Sequence, residues 1–411
     1  MVSLSTDAVI ALTFDMVSVM THYEKEMRFM LLIKNGYIKT MAGPDLENGC
    51  ILIGDDGKIL EVAPVIDAPE AQIIDAEGRL VTPGCVEAHC HIGLDNQAMG
   101  WEGRDYNEII DPLTPHMRAI DSINPQDESF GLAIRGGVTS ACTGPGSANV
   151  VGGTFTSIKL TGNRVDKMLI KEPVAMKAAF GENPKRCYGQ GLKKSPTTRM
   201  ATAALLRELL FKTQRYMEDK EAGKTPAFDM KLEAMIPVMK GEIPLKCHAH
   251  RADDILTSIR IAKEFGIKMT MDHCTDGAII ADELAEEGFP AFVGPSLGSK
   301  TKIELANKSF ETPAILHNAG VTVSIITDSP VIPLQYLPMC AGLAVNAGMP
   351  KEEAWKAITI NPAVSTGIGD RVGSLEKGKD GDVVIWTADP LTILGAESYT
   401  TIVDGKIVYQ A

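Results

Sequence analysis

Short apolar runs separated by turn residues occupy both ends of the chain. Between residues 29 and 82 these runs are broken by Asn-Gly, Asp-Gly and Glu-Gly pairs, which are common in tight turns between strands. The same pattern of apolar runs and turn residues returns near the C-terminus, in G-D-V-V-I-W-T and in T-T-I-V-D-G-K-I-V-Y. The pattern predicts one small β-sandwich domain built from residues 29–82 and 370–411.

The central residues 83–369 alternate short β-branched runs with helical patterns, which is typical of parallel βαβ units. Helical periodicity is clearest over 252–266 and 277–288, and both segments end in Gly, as helices often do. Eight strand–helix units in about 250 residues are the size of a (β/α)8 barrel, with a doubly wound open sheet as the alternative. The candidate strands are 81–91, 137–142, 154–160, 174–180, 243–248, 267–273, 290–294 and 321–327.

Residues 1–28 have a different character from the rest of the chain. They are apolar enough to resemble a signal peptide, but a basic start is missing and Asp7 and Asp15 interrupt the apolar stretch. We therefore interpret them as a disordered or loosely packed N-terminal extension, and whether residues 1–26 belong to the native protein is left open.

Composition narrows the classes of partner. A net charge of −13 argues against nucleic acids and anionic membranes, because both attract basic surfaces. No apolar stretch reaches the roughly 18 residues that a membrane span needs. The eight cysteines are scattered without a C-x-x-C pair, which fits a reducing compartment. We expect a cytoplasmic protein that acts on a small molecule.

The chemistry begins with His89 and His91, in the segment L-V-T-P-G-C-V-E-A-H-C-H. Alternate residues of a strand share one face, so both imidazoles point the same way and can serve one metal ion. Either histidine alone is more often a structural residue. The pair gains weight only from residues further along the chain.

Three more candidate ligands stand where predicted strands end. His248 ends the fifth strand, His273 ends the sixth, and Asp328 follows the eighth. In a barrel all of these strand ends meet on one rim, where the active sites of barrels lie. Nitrogen and carboxylate ligands of this kind suit Zn²⁺ or another divalent first-row metal.

A cysteine follows or precedes several of these histidines. Cys90, Cys247 and Cys274 should face away from the site, because side chains alternate along a strand. We therefore expect them to pack as small apolar residues and not to bind metal.

Four motifs together resemble the amidohydrolase superfamily, and within it the imidazolonepropionase-related and dipeptidase-like metal hydrolases. They are P-G-C-V-E-A-H-C-H, K-C-H-A-H, M-D-H-C and T-D-S-P, and the resemblance covers about residues 30–411. It implies metal ligands at His89, His91, His248, His273 and Asp328. It also implies a carboxylated lysine on strand four that bridges two ions, for which Lys177 is placed and Glu182 is the weaker candidate. An ordinary strand lysine is the alternative, so one or two zinc ions remain open.

The resemblance also implies a mechanism. A metal-bound water is deprotonated by Asp328, which then protonates the leaving nitrogen, while His273 or a metal polarises the scissile carbonyl. The expected reaction is hydrolysis of a C–N bond in an amide, dipeptide or cyclic amide that bears a carboxylate. A deaminase of a small heterocycle and a non-catalytic hydantoinase-like scaffold are the alternatives.

The chain departs from some of these relatives after strand five. Imidazolonepropionases and cytosine-type deaminases carry H-x-x-E there, whereas this chain has Arg251 in place of the glutamate. This counts against both activities. His250 and Arg251 are candidate substrate contacts, with a solvated helix-start residue as the alternative for Arg251. Tyr106 and His116, in the long segment 93–125, are further candidates. Barrels of this type commonly pair, so a homo-oligomer is left open.

Overall fold

The computed structural model describes residues 30–411, so the predicted extension at 1–28 lies outside the described residues. The strands are β1 (Leu31–Ile38), β2 (Leu46–Ile53), β3 (Ile59–Ala63), β4 (Gln72–Asp75), β5 (Leu80–Pro83), β6 (Cys85–Cys90), β7 (Val138–Thr143), β8 (Val151–Lys159), β9 (Leu169–Ala179), β10 (Leu245–Ala249), β11 (Met269–His273), β12 (Ala291–Val293), β13 (Val323–Ile325), β14 (Val383–Trp386), β15 (Ser398–Val403) and β16 (Lys406–Gln410).

Helices fill most of the connections between the central strands. They are α1 (Glu128–Arg135), α2 (Val165–Met168), α3 (Glu182–Lys185), α4 (Arg199–Glu221), α5 (Met230–Met239), α6 (Ala252–Phe265), α7 (Ala281–Glu287), α8 (Thr312–Asn318), α9 (Leu337–Asn346), α10 (Lys351–Lys356) and α11 (Ile360–Ser365). The two clearest predicted helices are confirmed as α6 and α7. Gly266 and Gly288 follow them in the left-handed conformation, with φ of 63° and 71°.

Strands β6 to β13 form one sheet, called the barrel sheet below, in the order β13-β12-β11-β10-β9-β8-β7-β6. Strand β13 lies against β6, so the sheet nearly closes into a barrel. Each of the eight predicted strands overlaps an observed one. The carboxyl ends of the parallel strands therefore meet on one rim, as the sequence predicted.

Strand β8 corrects the prediction of a wholly parallel barrel, because it runs antiparallel to both β7 and β9. The other adjacent pairs of the sheet are parallel. The connection between Thr143 and Val151 is too short for a parallel crossover, which takes a dozen or more residues. The segment 144–150 is thus a turn at the rim where the carboxyl ends of the parallel strands meet.

The remaining strands come from both ends of the chain and form a second sheet, called the chain-end sheet below, in the order β16-β15-β14-β5-β1-β2-β3, with β4 beside β1. The pairing defines one sheet, and the expectation of a two-sheet sandwich stays a prediction. The Asn35-Gly36 pair is not the predicted turn. It is a bulge inside β1, where Asn35 has φ of 57° and the register to β2 shifts.

The largest apolar cluster lies between the barrel strands and the surrounding helices. Cys90, Cys247 and Cys274 are buried in it as predicted, and burial raises the pKa of the Cys274 thiol to about 12. A thiol held in its protonated form is a poor metal ligand. Within residues 30–411 no helix combines the length and apolar character needed to cross a membrane.

Candidate metal centre

The predicted ligands come together on the rim where β6, β10, β11 and β13 end. Strand alternation delivers His89 from β6 and His248 from β10. His273 and Asp328 reach the site differently, because their backbones are left-handed, with φ of 73° and 54°. Such angles are uncommon outside glycine and often mark functional positions. These backbone angles direct the side chains of His273 and Asp328 into the site, where regular strand alternation would not place them.

His89, His91 and Asp328 form the first cluster, with one ligand atom from each lying within 4.8 Å of the others. Oδ1 of Asp328 is 3.4 Å from Nε2 of His89 and 3.3 Å from Nε2 of His91. The two histidines are buried, and Asp328 remains open to the cavity above. The cluster therefore has a closed floor and an accessible side.

His248, His250 and His273 form the second cluster, again within 4.8 Å of one another. Ring centroids are 4.4 Å apart for His248 and His273, and 4.7 Å apart for His250 and His273. The sequence assigned His250 to the substrate. The structure places it beside two predicted ligands, and it also lines the cavity above the clusters, as a substrate contact would.

Hydrogen bonds fix which nitrogen carries the proton in three of these rings. Nδ1 of His89 lies 2.7 Å from Oδ2 of Asp272, Nδ1 of His91 lies 2.7 Å from the carbonyl of Gly144, and Nδ1 of His273 lies 2.8 Å from the carbonyl of Gly294. A carbonyl or carboxylate can only accept, so each Nδ1 donates and each Nε2 offers its lone pair.

The same tautomer bears on the predicted role of His273 in polarising a scissile carbonyl, which stays a prediction. In this tautomer Nε2 carries a lone pair and no proton, so only the protonated ring could donate a hydrogen bond to the carbonyl oxygen. That Nε2 is buried and has no hydrogen-bond partner. An orphaned lone pair beside other ligand atoms fits metal binding, because buried polar atoms are otherwise almost always paired.

Burial also holds the site in the form that binds metal. It lowers the pKa of His89 to about 3 and that of His273 to about 4, and holds those of His248 and His250 well below the ordinary value. Burial alone would raise the pKa of Asp328, but its interactions with His273, His89 and His91 outweigh this effect and hold the pKa well below its ordinary value. Neutral imidazoles and a carboxylate suit Zn²⁺ and similar ions, so these residues fit the implied metal.

Lys177 lies below the first cluster and is fully buried. Its Nζ is 3.4 Å from Nε2 of His89, and burial lowers its pKa to about 8. The position and the readily neutralised amine are compatible with the predicted carboxylation, which stays a prediction. The carboxylate of Glu182, the weaker candidate, belongs to neither ligand cluster among the described residues.

A cavity of about 600 Å³ opens above the clusters. The Tyr106 ring stacks on His91 with centroids 5.1 Å apart, so this predicted contact does line the cavity. Arg251 and His116 are not among its lining residues within the described chain. Arg251 directly precedes α6 and pairs with Asp253, both side chains being exposed, so the alternative of a solvated helix-start residue is the better interpretation. The cations that line the cavity are Arg186 and Lys302.

Several polar residues that support the ligands were missed by sequence reasoning. Asp272 orients His89 and pairs with the buried Lys246 at 3.1 Å. Glu87 accepts hydrogen bonds from the backbone of His89 and of Thr327, the residue before Asp328. Their signal was present: acids at alternate positions of otherwise apolar strands, in V-E-A-H and M-T-M-D-H.

The sequence profile of the amidohydrolase family matches residues 80–408. The chain belongs to this family. It is imidazolonepropionase-like: the imidazolonepropionase of Bacillus velezensis is 24% identical over 352 residues, which are 77% of this chain and 77% of that protein.

Two further relatives carry the family name. A crystal structure of an amidohydrolase from Thermotoga maritima MSB8 is 41% identical, with a TM-score of 0.89, covering 93% of this chain and 100% of that one. Amidohydrolase tasK of Hapsidospora irregularis is 28% identical over 380 residues, which are 85% of this chain. The match takes in 38% of the length of that relative.

Proposed function

We propose that this protein is a metal-dependent hydrolase that cleaves a C–N bond of a small substrate bound in the 600 Å³ cavity. The observation that carries the proposal is the first cluster, in which His89 and His91 turn lone pairs toward Asp328 at the cavity floor. Membership of the amidohydrolase family and similarity to imidazolonepropionases support it. The substrate is not an imidazolone in this proposal, because Arg251 stands where the glutamate of those enzymes would be.

His89, His91 and Asp328 would hold the ion, with His248 and His273 beside it. When bound, a catalytic Zn²⁺ lowers the pKa of water to about 7 and so supplies hydroxide at neutral pH. Asp328 would accept a proton from the attacking water as its oxygen bonds to the carbonyl carbon, since the neighbouring histidines keep its carboxyl group ionised. It would then give that proton to the nitrogen as the C–N bond breaks, so that the amine leaves in its neutral form.

The cavity favours a substrate with a carboxylate. Arg186 and Lys302 line it, and the exposed Arg186 forms no ion pair with a carboxylate within residues 30–411. Guanidinium groups bind carboxylates through paired hydrogen bonds. An N-acyl amino acid, a dipeptide or a cyclic amide with a free carboxylate meets both requirements, and this assignment replaces the predicted role of Arg251.

The test is a hydrolysis screen of N-acyl amino acids, dipeptides and cyclic amides with the zinc-loaded protein. For a confirmed substrate, Asp328→Asn should lower kcat by about 10²–10⁴-fold, the usual contribution of a general acid–base group. Asp282→Asn, an exposed acid in α7, is the matched control and should keep full activity. Full activity in Asp328→Asn, or failure to bind zinc tightly, would contradict the proposal.

A further inference from the structure

We propose that Lys302 is a catalytic residue that donates a hydrogen bond to the carbonyl oxygen of the scissile group, and that Glu304 is the positioning residue that holds its ammonium in place. The inference rests on the proposed function, because it assigns a further role in the same reaction. The sequence gave neither residue a role. The structure brings both to the wall of the cavity above the metal centre.

Nζ of Lys302 is held from two sides. It lies 2.5 Å from Oε1 of Glu304, and it donates a hydrogen bond of 3.1 Å to Oδ1 of Asn183. An ammonium group has three N–H donors, and these two oxygens are the only acceptors that Nζ contacts within residues 30–411. The side chain is 17% exposed and lines the cavity, so the third N–H is left for a ligand.

Asn183 links this ammonium to the predicted metal ligands. Its side-chain oxygen accepts the hydrogen bond from Lys302, and its side-chain nitrogen lies 3.3 Å from Nε2 of His248. Oε1 of Glu304 is 3.9 Å from the same Nε2 and 3.7 Å from Nε2 of His250. We therefore expect a carbonyl group bound at the metal centre to lie within reach of the third N–H of Lys302.

The backbone around Glu304 holds its carboxylate against Lys302. Glu304 stands in the short helix Ile303–Leu305 after β12, and its side chain is 1% exposed. Its Oε2 accepts the backbone N–H of Glu182 at 3.0 Å. Gly181 has φ of 77°, and a Cβ there would lie 2.8 Å from that same oxygen. A side chain at position 181 would therefore displace the carboxylate and, with it, the ammonium.

This pairing indicates which kind of oxygen Lys302 binds. Burial alone would raise the pKa of Glu304, but its interactions, with Lys302 first among them, outweigh this effect and lower it. The carboxylate is therefore ionised and cancels the charge of the ammonium. A neutral pair attracts a permanent carboxylate only weakly, and the unpaired Arg186 suits that group better. The remaining N–H of Lys302 suits an oxygen that gains negative charge during the reaction.

The hydrogen bond acts while the carbonyl oxygen carries this charge. As the water oxygen bonds to the carbonyl carbon, the π electron pair of the C=O bond moves to the carbonyl oxygen. The pair re-forms the double bond when the C–N bond breaks and the nitrogen takes its proton from Asp328. Lys302 keeps its own proton throughout. Donors fixed in advance at such an oxygen need not reorganise during the reaction, and losing one costs about 10²–10³ in kcat.

The test compares kcat and KM of zinc-loaded variants on an N-acyl amino acid, dipeptide or cyclic amide that the unsubstituted protein hydrolyses. Lys302→Met should lower kcat by about 10²–10³-fold and change KM little, because the hydrogen bond strengthens only in the transition state. Lys300→Met is the matched control and should keep full activity. Lys300 is an exposed lysine of the same segment that donates to the carbonyl of Ala306, and within the described chain it does not line the cavity.

A double variant separates catalysis from charge balance. Lys302→Met alone leaves Glu304 as a buried charge without its cation, which destabilises the fold. Combining Lys302→Met with Glu304→Gln removes both charges, so thermal stability and zinc content should return to those of the unsubstituted protein while kcat stays low. Glu304→Gln alone keeps the ammonium but loosens it. It should lower kcat less than Lys302→Met does and leave KM unchanged.

A binding measurement checks the same hydrogen bond without turnover. A phosphonamidate analogue of the substrate carries a charged oxygen on a tetrahedral phosphorus, as the transition state does on carbon. Calorimetry should show that the double variant binds this analogue about 10²-fold more weakly than the unsubstituted protein does, since one fixed donor is lost.

Full activity of the double variant would overturn the inference, because Lys302 would then serve only to neutralise Glu304. A raised KM with unchanged kcat would also overturn it, since that result marks a residue that only holds the substrate. So would loss of zinc from the double variant. If the zinc-loaded unsubstituted protein hydrolyses none of these compounds, the proposed function fails as well, whereas hydrolysis that does not depend on Lys302 contradicts only the further inference.

Discussion

Asp272 shows how far a single side chain outside the ligand clusters can control them. Its Oδ2 accepts from Nδ1 of His89 at 2.7 Å and faces Nζ of Lys246 at 3.1 Å, while Oδ1 accepts from Thr270. All of these groups are buried. The carboxylate therefore sets the tautomer of one ligand and neutralises a lysine that has no access to water.

We predict that Asp272→Asn weakens both metal binding and folding. The affinity for Zn²⁺ should fall about 10–100-fold, as for other residues that orient a ligand. The free energy of unfolding should fall by about 3–5 kcal/mol, because Lys246 would be left as an uncompensated buried charge. Zinc titration and denaturant unfolding measure the two effects, with Asp282→Asn as the control. An unchanged zinc affinity would show that His89 is oriented by something else.

The buried histidines also predict how the stability of the metal-free protein depends on pH. Burial lowers the pKa of His89 to about 3 and of His273 to about 4, both below the value of about 6.5 expected in the unfolded chain. The unfolded chain thus binds protons that the native protein cannot. Stability should be complete above pH 6.5 and fall as pH drops toward 4, by about 1.4 kcal/mol per pH unit for each histidine.

Denaturant unfolding in the presence of a chelator, repeated from pH 7.5 to 4.5, measures this slope. His89→Asn removes one titrating group and should make the slope shallower. A free energy of unfolding that stays constant between pH 7 and 5 would mean that these rings titrate equally in the native protein and in the unfolded chain.

At this scale strand alternation placed three of the candidate ligands, whereas His273 and Asp328 were predicted from their positions at strand ends. His89, His91 and His248 could be placed because alternate residues of a strand share a face. Asp272 was missed since the left-handed backbone of His273 lets two consecutive side chains reach the site.

Among the elements, the antiparallel strand β8 contains a position that only glycine suits. Gly153 within it has φ of 121°, and a Cβ there would lie 2.4 Å from the carbonyl oxygen of Met117. That carbonyl accepts a hydrogen bond from the backbone N–H of Thr154 at 2.8 Å, so it cannot move away from β8 without losing this hydrogen bond. The contact joins β8 to the long segment that borders the cavity.

We predict that Gly153→Ala destabilises the protein by about 1–3 kcal/mol, the usual cost of forcing a side chain into a strained backbone region. Gly131→Ala is the matched control. Gly131 lies inside α1 with open space where its Cβ would be, so alanine should stabilise the helix by about 0.5–1 kcal/mol. Thermal and denaturant unfolding measure both. Equal effects of the two substitutions would contradict the importance of the β8 contact.

The positions of the barrel strands could be predicted from sequence, whereas the direction of β8 was not. Apolar runs mark strands, but they are the same whichever way a strand runs. The signal lay in the connection before β8, whose length permits only a return in the opposite direction. The Asn35-Gly36 pair was wrongly predicted to form a turn for a related reason. The residues that favour a hairpin turn also favour a β-bulge.

In the molecule as a whole, one lysine links the two sheets. Lys159 ends β8 in the barrel sheet and is 3% exposed. Its Nζ lies 2.9 Å from Asp380, 2.7 Å from Asp382 and 3.1 Å from Asp404, all near the C-terminal strands of the chain-end sheet. This network brings together segments more than 200 residues apart. No local pattern could predict it, because each of its members looks like an ordinary surface charge in the sequence.

We predict that Lys159→Met lowers the free energy of unfolding by about 3–5 kcal/mol, because the buried carboxylate of Asp382 would lose its cation. Lys58→Met is the matched control, since Lys58 is partly exposed and should cost less. The cost should shrink as pH falls: without the lysine, the carboxylates have raised pKa values and become neutral more readily in the native state than in the unfolded chain. Denaturant unfolding of both variants and the unsubstituted protein at pH 7.5 and 5 gives the difference at each pH. A cost that is the same at both values would show that Lys159 contributes through packing and not through its charge.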